Sequence, residues 1–283
     1  MIKLFAIDMD GTLLNSEDTV SESTTEAIQK LNSAGVKSVL CSGRIATSLD
    51  YANSLMGVDN PTIANNGAII KLNKDKILNT HPLKDEDLKD LIAFAEKCKV
   101  HYHFYDDDTY YSNTLNPKSL HHLRIESNYG INVQCKLNIS TDPFDELKSK
   151  GKDGLKILIG NLSDHPYGED EVRRLFDEEF SDRVYITTSG PGSFEIMEPN
   201  VTKWNGILEL AEFLGINKDE TAAIGDSYND LPMLEEAQLS FAMGNSADEI
   251  KEIAKYTVAD NNSGGIAEAV DIILNYNKEN PSV

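Results

Sequence analysis

Leu4-Phe5-Ala6-Ile7-Asp8-Met9-Asp10-Gly11-Thr12 decides how the rest of the chain is read. Its first four residues form a continuous apolar run, the mark of a short strand buried on both faces. Two carboxylates follow, Asp8 and Asp10, and Gly11 permits a turn directly after them. In a continuing strand, residues two apart share a face. Here the strand is ending, so the pair lands at its carboxyl rim. In open α/β sheets, ligands bind just outside that rim.

Working outward, the same alternation continues. Ser21 to Ala34 has helical spacing through Ala27, Ile28, Leu31 and Ala34, with Ser21 as N-cap and Gly35 as stop. Lys37 to Ser42 holds the apolar run Val39-Leu40-Cys41, a second buried strand. Ile45 to Met56 reads as a second helix and Pro61 to Ile70 as a third strand. This order predicts an α/β fold, a Rossmann-like doubly wound parallel sheet.

The middle of the chain breaks the pattern. Asp85 to Lys97 reads as an amphipathic helix. Val100 to Tyr105 and Thr109 to Asn113 read as a hairpin around Asp106-Asp107-Asp108. A helix (Pro117 to Tyr129), a strand (Ile131 to Leu137), a helix (Pro143 to Lys150) and a strand (Leu155 to Ile159) follow. Then come a helix (Gly168 to Phe180) and two strands (Val184 to Thr188, Phe194 to Met197). These read as an inserted α+β cap domain. Alternation returns with a helix through Ile207, Leu210, Ala211 and Leu214, the apolar run Ala222-Ala223-Ile224, a helix (Leu231 to Ala237) and a strand (Leu239 to Met243). A helix over Ala247 to Ala254 follows, and Ile266 to Leu274 closes the chain. The expectation is a core of residues 1–83 and 191–283, interrupted by a cap of residues 84–190.

Composition narrows the function. The 283 residues are 40% hydrophobic, enough for a substantial core, and carry 26 Lys plus Arg against 47 Asp plus Glu, a net charge of −21. Such a charge repels nucleic-acid backbones and anionic membrane surfaces at long range. It leaves room for a small anionic substrate, because a divalent cation reverses the field locally. Cys41, Cys98 and Cys135 are odd in number and widely spaced, which fits a reducing, cytoplasmic setting. The opening apolar run is cut short by Asp8 and Asp10, too early for a signal segment, and no stretch approaches the ~18 apolar residues of a membrane span.

A second acidic motif, Gly225-Asp226-Ser227-Tyr228-Asn229-Asp230, follows Ala222-Ala223-Ile224 just as the first follows Leu4 to Ile7. If the two strands are neighbours, Asp8, Asp10, Asp226 and Asp230 converge. Two like charges at 4 Å repel by about 4 kcal/mol at an effective dielectric near 20, so such a cluster needs a cation or a proton. Oxygen ligands without His or Cys favour Mg²⁺ over Zn²⁺. Taken singly, each motif reads equally as turn and helix-cap chemistry. The spacing is not that of an EF-hand loop, no phosphate-binding P-loop occurs, and Gly190-Pro191-Gly192-Ser193 lacks the third glycine of a dinucleotide site. His101 and His103 alternate on one strand face without a third ligand and read as structural. His121 and His122 read as helix-surface residues.

In combination, Asp8-Met9-Asp10-Gly11-Thr12-Leu13-Leu14, Ser42-Gly43-Arg44, Lys203 and Gly225-Asp226-x-x-Asn229-Asp230 resemble the four motifs of the haloacid dehalogenase-like phosphatases. Asn66-Gly67-Ala68, the large insertion and Met243-Gly244-Asn245 resemble the Cof-type sugar-phosphate phosphatases within that superfamily. The resemblance implies an Mg²⁺-dependent phosphatase hydrolysing small phosphomonoesters, either sugar phosphates or nucleotide-related phosphates, as its small phosphorylated metabolite. It implies Asp8 as nucleophile forming an aspartyl-phosphate and Asp10 as general acid and base. Asp8, the Asp10 carbonyl and Asp226 would bind metal, with Asp230 a ligand or an orienter. Ser42 and the Gly43 amide would hold phosphate oxygens, and Lys203 would neutralise charge and hold Asp8. Arg44 reads as a phosphate contact or a carboxylate partner, and Asn229 as a phosphate contact or a helix cap. The family usually places Gly directly after the lysine. Here Trp204 intervenes and Gly206 comes later, so Trp204 is either a core aromatic or a wall of the leaving-group pocket. Rival readings are a phosphosugar mutase, a phosphoacceptor signalling module and a non-catalytic cation binder.

Overall fold

The computed structural model describes residues 1–116, 135–188 and 192–281. The described part of the chain builds two sheets. The first runs β14-β13-β12-β1-β2-β3-β4-β5. Its strands are β1 (Leu4–Ile7), β2 (Lys37–Cys41), β3 (Thr62–Ala64), β4 (Ile69–Asn73), β5 (Lys76–Thr80), β12 (Thr221–Gly225), β13 (Leu239–Ala242) and β14 (Tyr256–Thr257). The strands from β14 to β3 pair in parallel, whereas β3, β4 and β5 are antiparallel neighbours.

The apolar run of β1 is explained by its two faces. Phe5 and Ile7 pack into one cluster, with Ala27, Ile28 and Leu31 of the helix Glu22–Ser33 and Val270 and Ile273 of the helix Gly265–Glu279. Leu4 and Ala6 pack on the opposite face, with Trp204, Ile207 and Leu210 of the helix Lys203–Leu214. All four β1 side chains are 0% exposed. Each large one of them contributes about 1.5–3 kcal/mol by burial. As expected, β12 lies directly beside β1, with Ile7 in register with Ile224. That pairing brings the carboxyl ends of both strands, and both acidic motifs, to one rim.

Ser21 caps its helix as read from the sequence, accepting the Thr24 N–H at 3.2 Å. The expected strand over 61–70 is a correction. It breaks after Ala64, because Asn65, Asn66 and Gly67 all take positive φ, and the chain then turns back as the β4–β5 hairpin. The helix expected over Ile45 to Met56 spans Ala46–Leu55.

The second sheet runs β10-β11-β9-β6-β7-β8. Its strands are β6 (His101–Tyr105), β7 (Thr109–Ser112), β8 (Lys136–Ile139), β9 (Lys156–Gly160), β10 (Tyr185–Thr187) and β11 (Ser193–Met197). Beyond residue 191, where the return to the core is expected, the chain still contributes a strand to this sheet. Ser193–Met197 pairs antiparallel with β9, because its alternating apolar residues Phe194 and Ile196 complete the second sheet's buried face. The expected helix over 117–129, most of the strand over 131–137, the pair His121-His122 and Gly190-Pro191 lie outside the described residues.

One face of the second sheet is covered by the helices Asp85–Cys98, Pro143–Ser149 and Glu169–Phe180. Tyr102, Phe104, Ile157, Ile159, Phe194 and Ile196 point to them. Period-two alternation puts His103, Tyr105, Lys156, Leu158 and Glu195 on the opposite face. No helix among the described residues is long and apolar enough to cross a membrane.

Candidate active site

The site starts where β1 ends. The Leu13 and Leu14 N–H groups donate to the Asp8 and Met9 carbonyls at 3.1 and 2.9 Å, closing a wide turn. The turn passes through Gly11 at φ +74°, and a Cβ there would lie 2.4 Å from Asp226 Oδ2. Only glycine lets the two acidic loops approach so closely. Thr12 Oγ1 donates to Asp226 Oδ1 at 2.9 Å, and Asn245 Nδ2 donates to the Gly11 carbonyl at 2.9 Å. Asn245 lies in the segment Met243-Gly244-Asn245 singled out above.

Asp8, Asp226 and Asp230 each offer a carboxylate oxygen within 4.8 Å of the others. The Lys203 ammonium sits among them, donating to Asp8 Oδ1 and to Asp230 Oδ1, both at 2.6 Å. Lys203 occupies the first turn of its helix, where Thr202 caps by accepting the Asn205 N–H at 3.1 Å. The displaced glycine does not disturb this placement. Gly206 is where that helix meets β3, and a Cβ there would lie 2.8 Å from Ile63 Cγ2. Trp204 is a core aromatic packed with Ile207 and Leu210, away from the cavity-lining residues.

Asp230 is engaged through both of its carboxylate oxygens. Its Oδ1 serves Lys203, and its Oδ2 accepts the Asp226 and Ser227 N–H groups, both at 3.0 Å. With both oxygens engaged, it shapes the loop that presents Asp226. Asn229 is likewise engaged, donating to Asn66 Oδ1 at 3.1 Å and accepting from Ser227 Oγ at 2.7 Å.

Electrostatics follow from burial. Desolvation, then the Asp230 charge, raises the Asp8 carboxyl well above the usual range, with Lys203 opposing. Asp226 is pushed up to about 6, again by burial first and Asp230 second. Burial also works against the Lys203 charge, but Asp230 and Asp8 more than offset it and hold its pKa above the ordinary lysine value. The cluster is thus short of positive charge with Lys203 alone. Its donors are oxygens, which suits a hard divalent cation.

Asp10 and Arg44 form a forked pair. Arg44 Nε donates to Asp10 Oδ2 at 2.8 Å and Arg44 Nη2 donates to Asp10 Oδ1 at 2.5 Å. Arg44 Nη1 is buried and has no hydrogen-bond partner among the described residues. Ser42 is buried, and its Oγ accepts the Arg44 N–H at 3.2 Å.

All these loops open into one cavity of about 330 Å³. Asp8, Asp10, Ser42, Gly43, Arg44, Asp226 and Asn229 line it from the first sheet, whereas Lys203 and Asp230 lie beneath. The second sheet contributes His103, Tyr105, Lys156, Leu158 and Glu195. Tyr105, Lys156, Leu158 and Glu195 belong to none of the sequence motifs, and His103, expected to be structural, also faces the cavity. His101-Tyr102-His103 and Phe194-Glu195-Ile196 carry a partial signal in their alternation, whereas Ile157-Leu158-Ile159 is an unbroken apolar run and carries none.

The model of the haloacid dehalogenase-like hydrolases matches residues 5–270. The chain belongs to that family. YxeH of Bacillus subtilis is 31% identical over 277 residues, covering 95% of this chain and 97% of that protein. The 5-amino-6-(5-phospho-D-ribitylamino)uracil phosphatase YwtE of the same organism is 28% identical over 285 residues, covering 96% and 98%. A solved haloacid dehalogenase-like hydrolase from B. subtilis superposes with a TM-score of 0.83 at 25% identity, covering 95% of this chain and 99% of the other. As a haloacid dehalogenase-like phosphatase, the chain is a phosphoric monoester hydrolase.

Proposed function

We propose that this phosphatase hydrolyses small phosphomonoesters of sugars or related polyols, with Mg²⁺, through an aspartyl-phosphate on Asp8. One observation carries the reading. Asp8 lines a cavity beside a buried guanidinium that has one nitrogen unpartnered among the described residues, with Lys203 fixed against it. That set offers a nucleophile together with the cationic groups a phosphoryl group needs. The cavity of about 330 Å³ sits at the small end of ligand sites, which suits a small metabolite. YwtE is named for a substrate with a phosphorylated ribityl chain, which supports a polyol phosphate here.

Asp8 and Asp226, with the Asp10 main-chain carbonyl, would hold the cation, and Asp230 orients the Asp226 loop. When bound, Mg²⁺ neutralises charge on the phosphoryl oxygens. Lys203 keeps the Asp8 side chain in one orientation from below. An Asp8 oxygen attacks phosphorus, and the bond from phosphorus to the leaving oxygen breaks. Asp10, carrying a proton taken up from solvent as its pair with Arg44 loosens, gives that proton to the leaving oxygen and then takes one from the water that attacks the aspartyl-phosphate. Inorganic phosphate leaves and the Asp8 carboxylate is restored. Arg44 has two uses: it holds Asp10 at the cavity, and its unpartnered nitrogen receives the phosphoryl group. A phosphoryl group on that nitrogen shares the guanidinium charge and so loosens its hold on Asp10, which turns toward the leaving group.

We further propose that residues 1–83 and those after Met197 form the core, and that the segment between them is a cap over the site. Excluding water there strengthens every charge interaction in the cavity. The test is a phosphate-release screen across sugar, polyol and nucleotide phosphates with and without Mg²⁺. Metal-dependent release of inorganic phosphate from polyol phosphates supports the reading. Isomerised sugar phosphate without free phosphate would instead establish a mutase, and a stable phosphoprotein without turnover would establish a signalling module.

A further inference from the structure

Two charged residues of the second sheet reach into the first sheet's loops, and the mechanism above does not use them. Lys156 Nζ donates to the Gly43 carbonyl at 2.5 Å and to Glu195 Oε2 at 2.9 Å. Both side chains are 4% exposed. A buried ion pair is a poor device for stability, because desolvation roughly cancels the attraction. Its better-attested use is to fix a register, so the geometry of its partners matters.

Those partners form a continuous chain of hydrogen bonds. The Gly43 carbonyl and the Arg44 N–H belong to one planar peptide unit. Lys156 fixes the carbonyl end, and the N–H end donates to Ser42 Oγ at 3.2 Å. Holding that plane therefore sets the Ser42 oxygen and leaves its hydroxyl proton for an incoming anion. On the other side, Asn66 Nδ2 donates to Glu195 Oε2 at 2.7 Å, and the Asn66 N–H donates to the Ser42 carbonyl at 3.0 Å. Asn229 and Ser227 continue the chain to the loop that carries Asp226.

We infer that Lys156 and Glu195 are positioning residues, which bring the Ser42-Gly43-Arg44 loop to its phosphate-binding geometry when the second sheet is seated on the first. The inference rests on the reading of that loop as the phosphate cradle. Lys156 acts through Gly43, so its removal affects the phosphoryl group common to all substrates, not one leaving group. Misplacing a binding group by about 1 Å costs up to a hundredfold in rate.

The test compares Lys156→Met, the double variant Lys156→Met/Glu195→Gln and Ser42→Ala with the wild type. The double variant removes both charges together, so no lone charge is left buried. The readouts are the inhibition constant of inorganic phosphate and kcat/KM on a polyol phosphate and on phenyl phosphate, with thermal unfolding as a check on folding. The expected result is about 10- to 100-fold weaker phosphate inhibition and an equal fall in kcat/KM on both substrates, in both Lys156 variants and in Ser42→Ala. Loss confined to the polyol phosphate, with phosphate inhibition unchanged, would overturn the inference and make Lys156 a leaving-group contact. A fall in stability with unchanged kinetics would also overturn it. If Ser42→Ala itself leaves phosphate inhibition unchanged, the cradle reading fails and the inference with it. If only the Lys156 variants leave it unchanged, the inference fails alone.

Discussion

Asp8 Oδ1 and the Lys203 ammonium stand 2.6 Å apart across 195 residues of chain. The same ammonium reaches Asp230, and the Lys203 and Asp230 side chains are both 0% exposed. Lys203→Met would leave two buried carboxylates without their cation. The expected cost is about 3–5 kcal/mol, as for other buried pairs broken on one side. Urea unfolding checks it, and added Mg²⁺ should recover part of the loss by binding the folded state. A variant as stable as the wild type would contradict the arrangement.

Gly11→Ala should disable the site while leaving the fold in place. Its φ of +74° costs a side chain about 1–2 kcal/mol. More important, the new Cβ would meet Asp226 Oδ2 at 2.4 Å and push the loop that carries Asp226 away. Calorimetric titration should show weakened Mg²⁺ binding. Gly35→Ala is the control, since Gly35 has a similar φ of +86° with nothing within 4 Å. It should lose comparable stability and keep Mg²⁺ affinity and turnover.

Arg44→Lys tests the forked pair. Lysine keeps the charge but lacks the planar fork, and it cannot serve Asp10 and phosphate together. The expected outcome is a fall in kcat/KM of at least about tenfold, for two lost charge-assisted hydrogen bonds. Steady-state kinetics on any accepted phosphomonoester reads it. Unchanged kinetics would remove Arg44 from the site.

Mg²⁺ affinity should weaken as the pH falls through about 6. Asp226 is pushed up to about 6 and Asp8 is raised as well, so below that pH the cation must displace protons to bind. The metal-free protein shows the opposite trend from the same groups. A folded-state pKa above the unfolded value means that Asp226 favours folding more as the pH falls from 7 toward 4. Calorimetry in buffers of different ionisation enthalpy should count more protons released per Mg²⁺ at pH 5.5 than at 7.5. Equal counts would contradict the assigned ligands.

Much of this was legible in the chain. The run Leu4 to Ile7, ending in Asp8, placed that carboxylate, the proposed nucleophile, at a sheet rim, because a strand buried on both faces needs neighbours on both sides. The parallel between Ile7-Asp8 and Gly225-Asp226 anticipated the pairing of β1 with β12. What escaped was long-range or masked by apolar residues. Pro61 to Ile70 looked like one strand, although Asn65-Asn66-Gly67 carries three residues that tolerate positive φ in a row. The motifs around Asn229 and Asp230 named the right loop but not which of its side chains face the cavity. Lys156 and Glu195 carry no motif of their own. Their role depends on where one sheet sits on another, which local spacing does not encode.

The central claim is that Asp8 becomes phosphorylated during turnover. The most direct measurement is rapid acid quenching of the enzyme with saturating substrate and Mg²⁺, followed by peptide mass analysis. The account predicts a phosphoryl group on Asp8, absent in Asp8→Asn along with turnover. An unmodified Asp8 during active turnover, or substantial phosphate release by Asp8→Asn, would contradict it.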